Sequence, residues 1–132
     1  MKYLLTFIVD ERVMGNAPPD EMQESLERWR AFDDEAVERG AMIACEPLEE
    51  SSVTTTIRVR EDGDRIVTDG PFAESKEQLA GFALLECENL DEALEWAGKV
   101  PLRQGSIEVR PVMDLSRFGY ESRTVAPLNA VR

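Results

Sequence analysis

Two hydrophobic periods alternate along this chain, and each change of period marks a change of element. Apolar residues fill both sides of residues 3–9: Tyr3, Leu5, Phe7 and Val9 on one, Leu4 and Ile8 beside Thr6 on the other. A strand apolar on both sides belongs inside a sheet and needs cover on each face. Residues 10–18 are polar and read as a loop. From Pro19 the period lengthens. Met22, Leu26, Trp29, Phe32, Ala36 and Val37 fall in a stripe about 140° wide, with Glu24, Glu27, Arg28 and Glu38 outside it, which predicts an amphipathic helix. Pro19 suits the first turn, Asp20 and Glu21 suit the positive end of the helix dipole, and Arg39-Gly40 reads as the stop.

Residues 41–47 form a short apolar segment, followed by a polar loop at 49–52. Residues 53–60 then alternate sharply: Val53, Thr55, Ile57 and Val59 point one way, Thr54, Thr56, Arg58 and Arg60 the other. Asp62-Gly63 is a hairpin signal and residues 65–68 are its return strand. Asp69-Gly70-Pro71-Phe72 reads as a loop, residues 81–87 as another strand, and 106–112 as the last. Between those two strands, Asn89-Leu90-Asp91-Glu92 has capping-box spacing. It predicts a second helix with Leu90, Ala93, Leu94, Ala97 and Val100 on one face and Pro101 as its stop.

The expected fold class is α+β: a ferredoxin-like βαββαβ antiparallel sheet with a hairpin elaboration and two helices on one face. The other face then has no cover within the chain. Leu4, Ile8, Phe82 and Leu84 would leave an apolar patch too large for a monomer, so a homodimer through the open sheet face is expected. Residues 1–113 are read as the domain and 114–132 as a C-terminal tail. Two fates are open to the tail, packing across a partner subunit or partial disorder.

Composition narrows the function classes. The chain has 132 residues, 42% hydrophobic and 32% charged, enough for one globular core. No window approaches the roughly 18 consecutive apolar residues of a membrane span, and the opening residues read as a strand rather than an export signal. A cytoplasmic location without a membrane partner is therefore expected. A balance of 15 basic against 27 acidic residues gives a net charge of −12, which repels a phosphate backbone and argues against nucleic acid. Cys45 and Cys87 lie far apart in apolar surroundings and are expected as buried free thiols. There is no histidine, so the commonest neutral-pH base and metal ligand is missing, and neither metal nor cofactor is expected.

Residues 67–82, with Asp69-Gly70-Pro71-Phe72 at their centre, resemble the DGPF signature of the YCII-related proteins. The resemblance continues through residues 90–97 and 107–112, includes the opening Met1-Lys2-Tyr3, and covers roughly residues 1–113. It implies a dimeric α/β-barrel, a fold shared with small monooxygenases and lactone isomerases. Most members of that branch have no assigned reaction, and some accompany or are fused to alternative sigma factors. A His-Asp pair has been regarded as a possible active site in the wider family. This chain cannot supply the histidine, so only Asp69 carries over as a catalytic candidate.

Each candidate residue admits a chemical and a structural role. Asp69 would take a proton from a bound molecule, or its oxygens would accept backbone N–H groups of the turn. Phe72 is expected as a core plug rather than a substrate lid. In the cluster Glu74, Lys76 and Glu77, Lys76 would neutralise a ligand carboxylate or depress Asp69; alternatively, residues 75–78 cap a helical turn with a solvated face. Arg58 and Arg110, beside Thr56 and Glu108, would enter the space over the uncovered sheet face. There they need carboxylate partners such as Glu108, or an anionic ligand held bidentately. Trp29 and Trp96 are expected in the core or at a subunit seam. The first functional expectation is a homodimer that binds a small anionic metabolite. The alternatives are a cofactor-free isomerase or lyase with Asp69 as base and an arginine stabilising an enolate, and, from the resemblance alone, an interaction module in sigma-factor-linked transcription.

Overall fold

The computed structural model describes residues 1–14, 17–71, 73 and 75–121. Strand β1 (Lys2–Asp10) leads through a single helical turn, α1 (Glu11–Met14), to the long helix α2 (Pro19–Glu38). Strand β2 (Met42–Pro47), a hairpin of β3 (Thr55–Val59) and β4 (Arg65–Asp69), strand β5 (Glu77–Glu86), helix α3 (Leu90–Lys99) and strand β6 (Ser106–Pro111) follow. Four strands form an antiparallel sheet in the order β2-β5-β1-β6, and β3-β4 stand apart as a two-stranded ribbon. This is the α+β, ferredoxin-like arrangement that the periodicity predicts.

The doubly apolar β1 sits between β5 and β6, where neither edge is left unpaired. Its odd residues Tyr3, Leu5, Phe7 and Val9 are buried, and its even residues Lys2, Leu4, Thr6 and Ile8 are half-buried. Tyr3, Leu5 and Phe7 join Ala83 and Leu85 of β5, Phe32 and Ala36 of α2, and Ala93 and Trp96 of α3 in one core. Phe7, Trp29, Phe32 and Trp96 run through it as successive ring pairs with centroids 5.2, 6.2 and 6.2 Å apart, mostly tilted or edge-on, the geometry aromatic quadrupoles favour. The even side of β1 faces away from both helices.

The helices depart from the expected stripes in an instructive way. Phe32 and Ala36 are buried and Trp29 half-buried, but Met22, Leu26 and Val37 are exposed. The buried residues of α2, Phe32 and Ala36, lie in its second half, and its first turns contribute none. In α3 the expected stripe is rotated: Trp96 is buried at 2% exposure while Leu90 and Leu94 are exposed. A large indole on the sheet-facing side displaces the two leucines outward. The expected cap is present, with Asn89 Oδ1 accepting from Glu92 N–H at 3.0 Å and Glu92 Oε2 accepting from Glu88 N–H at 2.7 Å.

Two local expectations are corrected. The stretch read as a loop from Asp10 contains α1, started by Asp10 Oδ1 accepting the Arg12 backbone N–H at 3.0 Å. Residues 75–78 do not form a helical turn. Ser75 Oγ does accept from Glu77 N–H at 3.2 Å, but Glu77 and Gln78 pair with Asp10 and Val9 and extend β5. Ladder bonds to an existing strand outcompete an isolated turn. The expectations for Phe72, Glu74 and residues 122–132 lie outside the described residues. Before that point the chain makes a 3₁₀ turn, Leu115–Phe118, closed by Gly119 at φ 79°. Among the described residues no helix is long and apolar enough to cross a membrane.

Candidate functional site

Strand alternation puts Ile107 and Val109 of β6 against the helix-side core and sends Glu108 and Arg110 to the opposite face. The β1–β6 register sets Thr6 opposite Glu108 and Leu4 opposite Arg110. With Ile8 and Leu79 these four residues line a hollow of about 250 Å³ on the face without helices. Arg110 and Glu108 are two residues apart on one strand face, so their Cα atoms are separated by about 6–7 Å. Neither makes an ion pair among the described residues. A guanidinium fork and a carboxylate thus stand side by side over an apolar floor, the first suited to an anion and the second to a hydroxyl or amide donor.

A second hollow of about 580 Å³ opens between the ribbon and the sheet, and Leu48, Ser51, Thr54, Thr56, Pro71 and Leu79 are among its walls. Leu79 belongs to both hollows. Backbone and side-chain bonds fix the ribbon's base. Gly70 N–H donates to Thr54 O at 2.7 Å, and Thr56 Oγ1 donates to Gly70 O at 2.7 Å. The Glu11 carboxylate accepts both the Ser51 N–H, at 2.7 Å, and the Ser51 hydroxyl, tying the loop before the ribbon to the end of β1.

The candidate residues are not brought together in one chain. Glu108 and Arg110 share the first hollow. Asp69 ends β4 opposite Thr55, is exposed, and lines neither hollow. Its carboxylate accepts no hydrogen bond from a described residue; the turn is held by the Gly70 backbone instead, with Gly70 at φ 94°. Arg58 lies on β3 opposite Ile66, on the same ribbon face as Thr56, and is exposed. Lys76 is exposed at the start of β5, where its charge acts on Asp10 rather than joining the hollow. Arg12, donating to both Asp10 oxygens at 3.1 and 2.9 Å, holds that carboxyl below the ordinary range, and Lys76 adds a smaller pull in the same direction.

A further ionisable pair escaped the sequence reading. Asp33 of α2 has a buried Oδ1 without a hydrogen-bond partner, and burial pushes its carboxyl up, partly offset by the neighbouring Cys45 thiol of β2. Burial, with the Asp33 charge beside it, pushes the Cys45 thiol up to about 12, so it is an inert thiol at neutral pH. Cys87 is buried and also free. Asp33 lies 12 positions from Cys45 in the chain, on an element of another period, and nothing in the spacing announces the contact. Among the described residues no three His, Cys, Asp or Glu side chains are grouped so as to hold a metal ion.

The family model of the YCII-related domain matches residues 1–116. An uncharacterized protein of Rhizobium meliloti (strain 1021) is 36% identical over 115 residues, covering 85% of this chain and 92% of that protein.

Proposed function

This chain belongs to the YCII-related domain family, and from that premise we propose that it works as a cytoplasmic homodimer that closes its open sheet face around a small anionic metabolite. The observation that carries this reading is the hollow itself. Arg110, without an ion pair among the described residues, stands with Glu108 over a floor of Leu4, Ile8 and Leu79 on a face that no helix covers. Leaving that floor in water is unfavourable, and half-burying Arg110 beneath a second sheet would demand a counter-charge. A ligand carboxylate held by the guanidinium fork supplies it, while Glu108 accepts from a ligand hydroxyl. Residues 1–113 form the binding domain in this reading, with Glu108 and Arg110 as its ligand-binding pair.

The test is a thermal-shift panel of carboxylates and phosphates at low and high salt. A hit should raise Tm in the native protein, and Arg110→Ala should abolish the shift while leaving the unliganded Tm within about 2 °C, as for an exposed side chain. If Arg110→Ala keeps the shift, the hollow is not the binding site. No specific geometric feature of one chain favours a reaction at Asp69, whose carboxylate lines neither hollow.

A further inference from the structure

One irregularity in the sheet decides what the open face presents. Along β5 the odd residues Leu85, Ala83 and Gly81 pair with the odd residues Tyr3, Leu5 and Phe7 of β1, whose side chains face the helices. The next pair is Ile8 with Leu79, so Ala80 is an extra residue, a bulge, and the parity of the strand inverts there. Leu79, which an unbroken ladder would send toward the helices, turns instead to the open face beside Ile8 and becomes a wall of both hollows. The bulge is held from the β2 side. Leu48 N–H donates to Ala80 O at 2.8 Å, and Pro47 pairs with Gly81. A Cβ added at Gly81 would lie 2.9 Å from Glu46 O and 3.3 Å from Phe7 Cδ2, so a side chain there would prise the strands apart.

We propose that the ligand held at Arg110 is an amphipathic monoanion, its charged head on the guanidinium and its apolar body crossing Leu79 into the second hollow. The inference rests on the anion-binding reading above and names the class of molecule. Size argues for it first. The hollow at Arg110 is about 250 Å³, below the usual range of small-molecule sites, and the hollow it meets at Leu79 adds about 580 Å³. The surface argues next. The apolar floor of Leu4, Ile8 and Leu79 continues to Leu48 and Val53 in the second hollow, and Leu79, Leu48 and Val53 are 45%, 44% and 63% exposed. A small polar acid would leave this path in water, whereas an alkyl or aryl body covers it. Charge sets the far end. Among the described residues lining the two hollows Arg110 is the one cation, against Glu108 beside it and Glu49 and Glu50 in the second. A second anionic group would have no counter-charge, while a neutral end suits the Thr54 and Thr56 hydroxyls.

Isothermal titration of the full chain with butanoate, hexanoate, octanoate and octanedioate tests this. Affinity should rise roughly two- to fourfold for every methylene added from butanoate to octanoate. Octanedioate, with its second carboxylate, should bind about tenfold or more weakly than octanoate. Leu79→Ser should flatten the gain with chain length, and Arg110→Ala should weaken all three monocarboxylates by about tenfold or more. A Kd that ignores chain length, octanedioate binding as well as octanoate, or no octanoate binding at about 10 mM overturns the inference and leaves Arg110 to smaller polar anions. Octanoate binding that Arg110→Ala leaves unchanged removes the anion-site reading as well. Should Leu79→Ser misfold, methyl NMR on the wild type decides. Leu48 and Val53 methyl resonances must shift with octanoate and stay in place with butanoate, and resonances that octanoate leaves unmoved overturn the proposal.

Discussion

Gly105 is where a single methyl group should do the most damage outside the core. It enters β6 at φ 113°, a region that L side chains rarely adopt, and a Cβ built there overlaps the carbonyl oxygen of Ile8 and lies 3.3 Å from Val9 Cα. The Ile8 backbone cannot retreat freely, because β1 is held on its other side by β5, with a register shift between Phe7 and Ile8. Gly105→Ala therefore meets a conformational cost of about 1–3 kcal/mol, and the end of the β1–β6 ladder at Ile8–Ser106 must part as well. A total of about 2–4 kcal/mol corresponds to a fall in Tm of roughly 6–16 °C for a domain of this size. Thermal and urea unfolding followed by circular dichroism measure it. Gly98→Ala is the control: Gly98 lies in α3 with nothing within 4 Å of a new Cβ, and alanine there should stabilise by about 0.5–1 kcal/mol. The close approach also predicts a functional readout, since β6 carries Glu108 and Arg110. A ligand shift that depends on Arg110 should weaken in Gly105→Ala. A Gly105→Ala protein that melts within 2 °C of wild type would refute the reasoning, because the overlap would then have to be relieved at no cost.

Asp33 should make stability fall with rising pH. Its folded pKa is raised by burial above the ordinary 3.8, so its contribution is full below that value and is lost as pH climbs through the raised folded pKa. Relative to wild type, Asp33→Asn should gain stability as pH rises above about 4, and urea midpoints of the two proteins that stay parallel with rising pH would reject the assignment. Native Cys45 should resist alkylation at pH 8 and react once the chain is unfolded in urea, read by mass spectrometry of the peptide. Leu85 is fully buried on β5, and Leu85→Ala should cost about 2–5 kcal/mol in urea unfolding. Asn89→Ala removes the α3 cap and should cost about 1 kcal/mol by the same measurement.

The sheet was legible because its residues obey one period at a time. Tyr3, Leu5, Phe7 and Val9 announce a buried face, Leu4 and Ile8 announce a second apolar one, and β1 occupies the middle of the sheet as that pattern requires. The helices were legible as helices but not in their facing. Met22 and Leu26 satisfy a helical stripe and are exposed, because a stripe is buried only where tertiary packing covers it, which no local window contains. Trp96 shows the same limit: its position in α3 competes with Leu90 and Leu94, and volume in the core settled the contest. Residues 75–78 failed for a non-local reason, since the strand that captures Glu77 and Gln78 lies nearly 70 positions away.

The site was legible as a set of residue types and opaque as a place. Alternation alone put Glu108 and Arg110 opposite Ile107 and Val109, and the register with β1 then brought them over Leu4 and Thr6. Arg58 and Asp69 belong to the ribbon, whose position relative to a ligand depends on what the ribbon touches. If the open sheet face closes in a dimer, binding at Arg110 and assembly are linked: anything that binds the dimer and not the monomer draws subunits together by mass action. A ligand found by its thermal shift should therefore lower the dimer Kd in sedimentation, and should do so less in Leu84→Arg on the open face. A ligand that binds monomer and dimer equally would separate the hollow from the subunit contact and place the whole site within one chain.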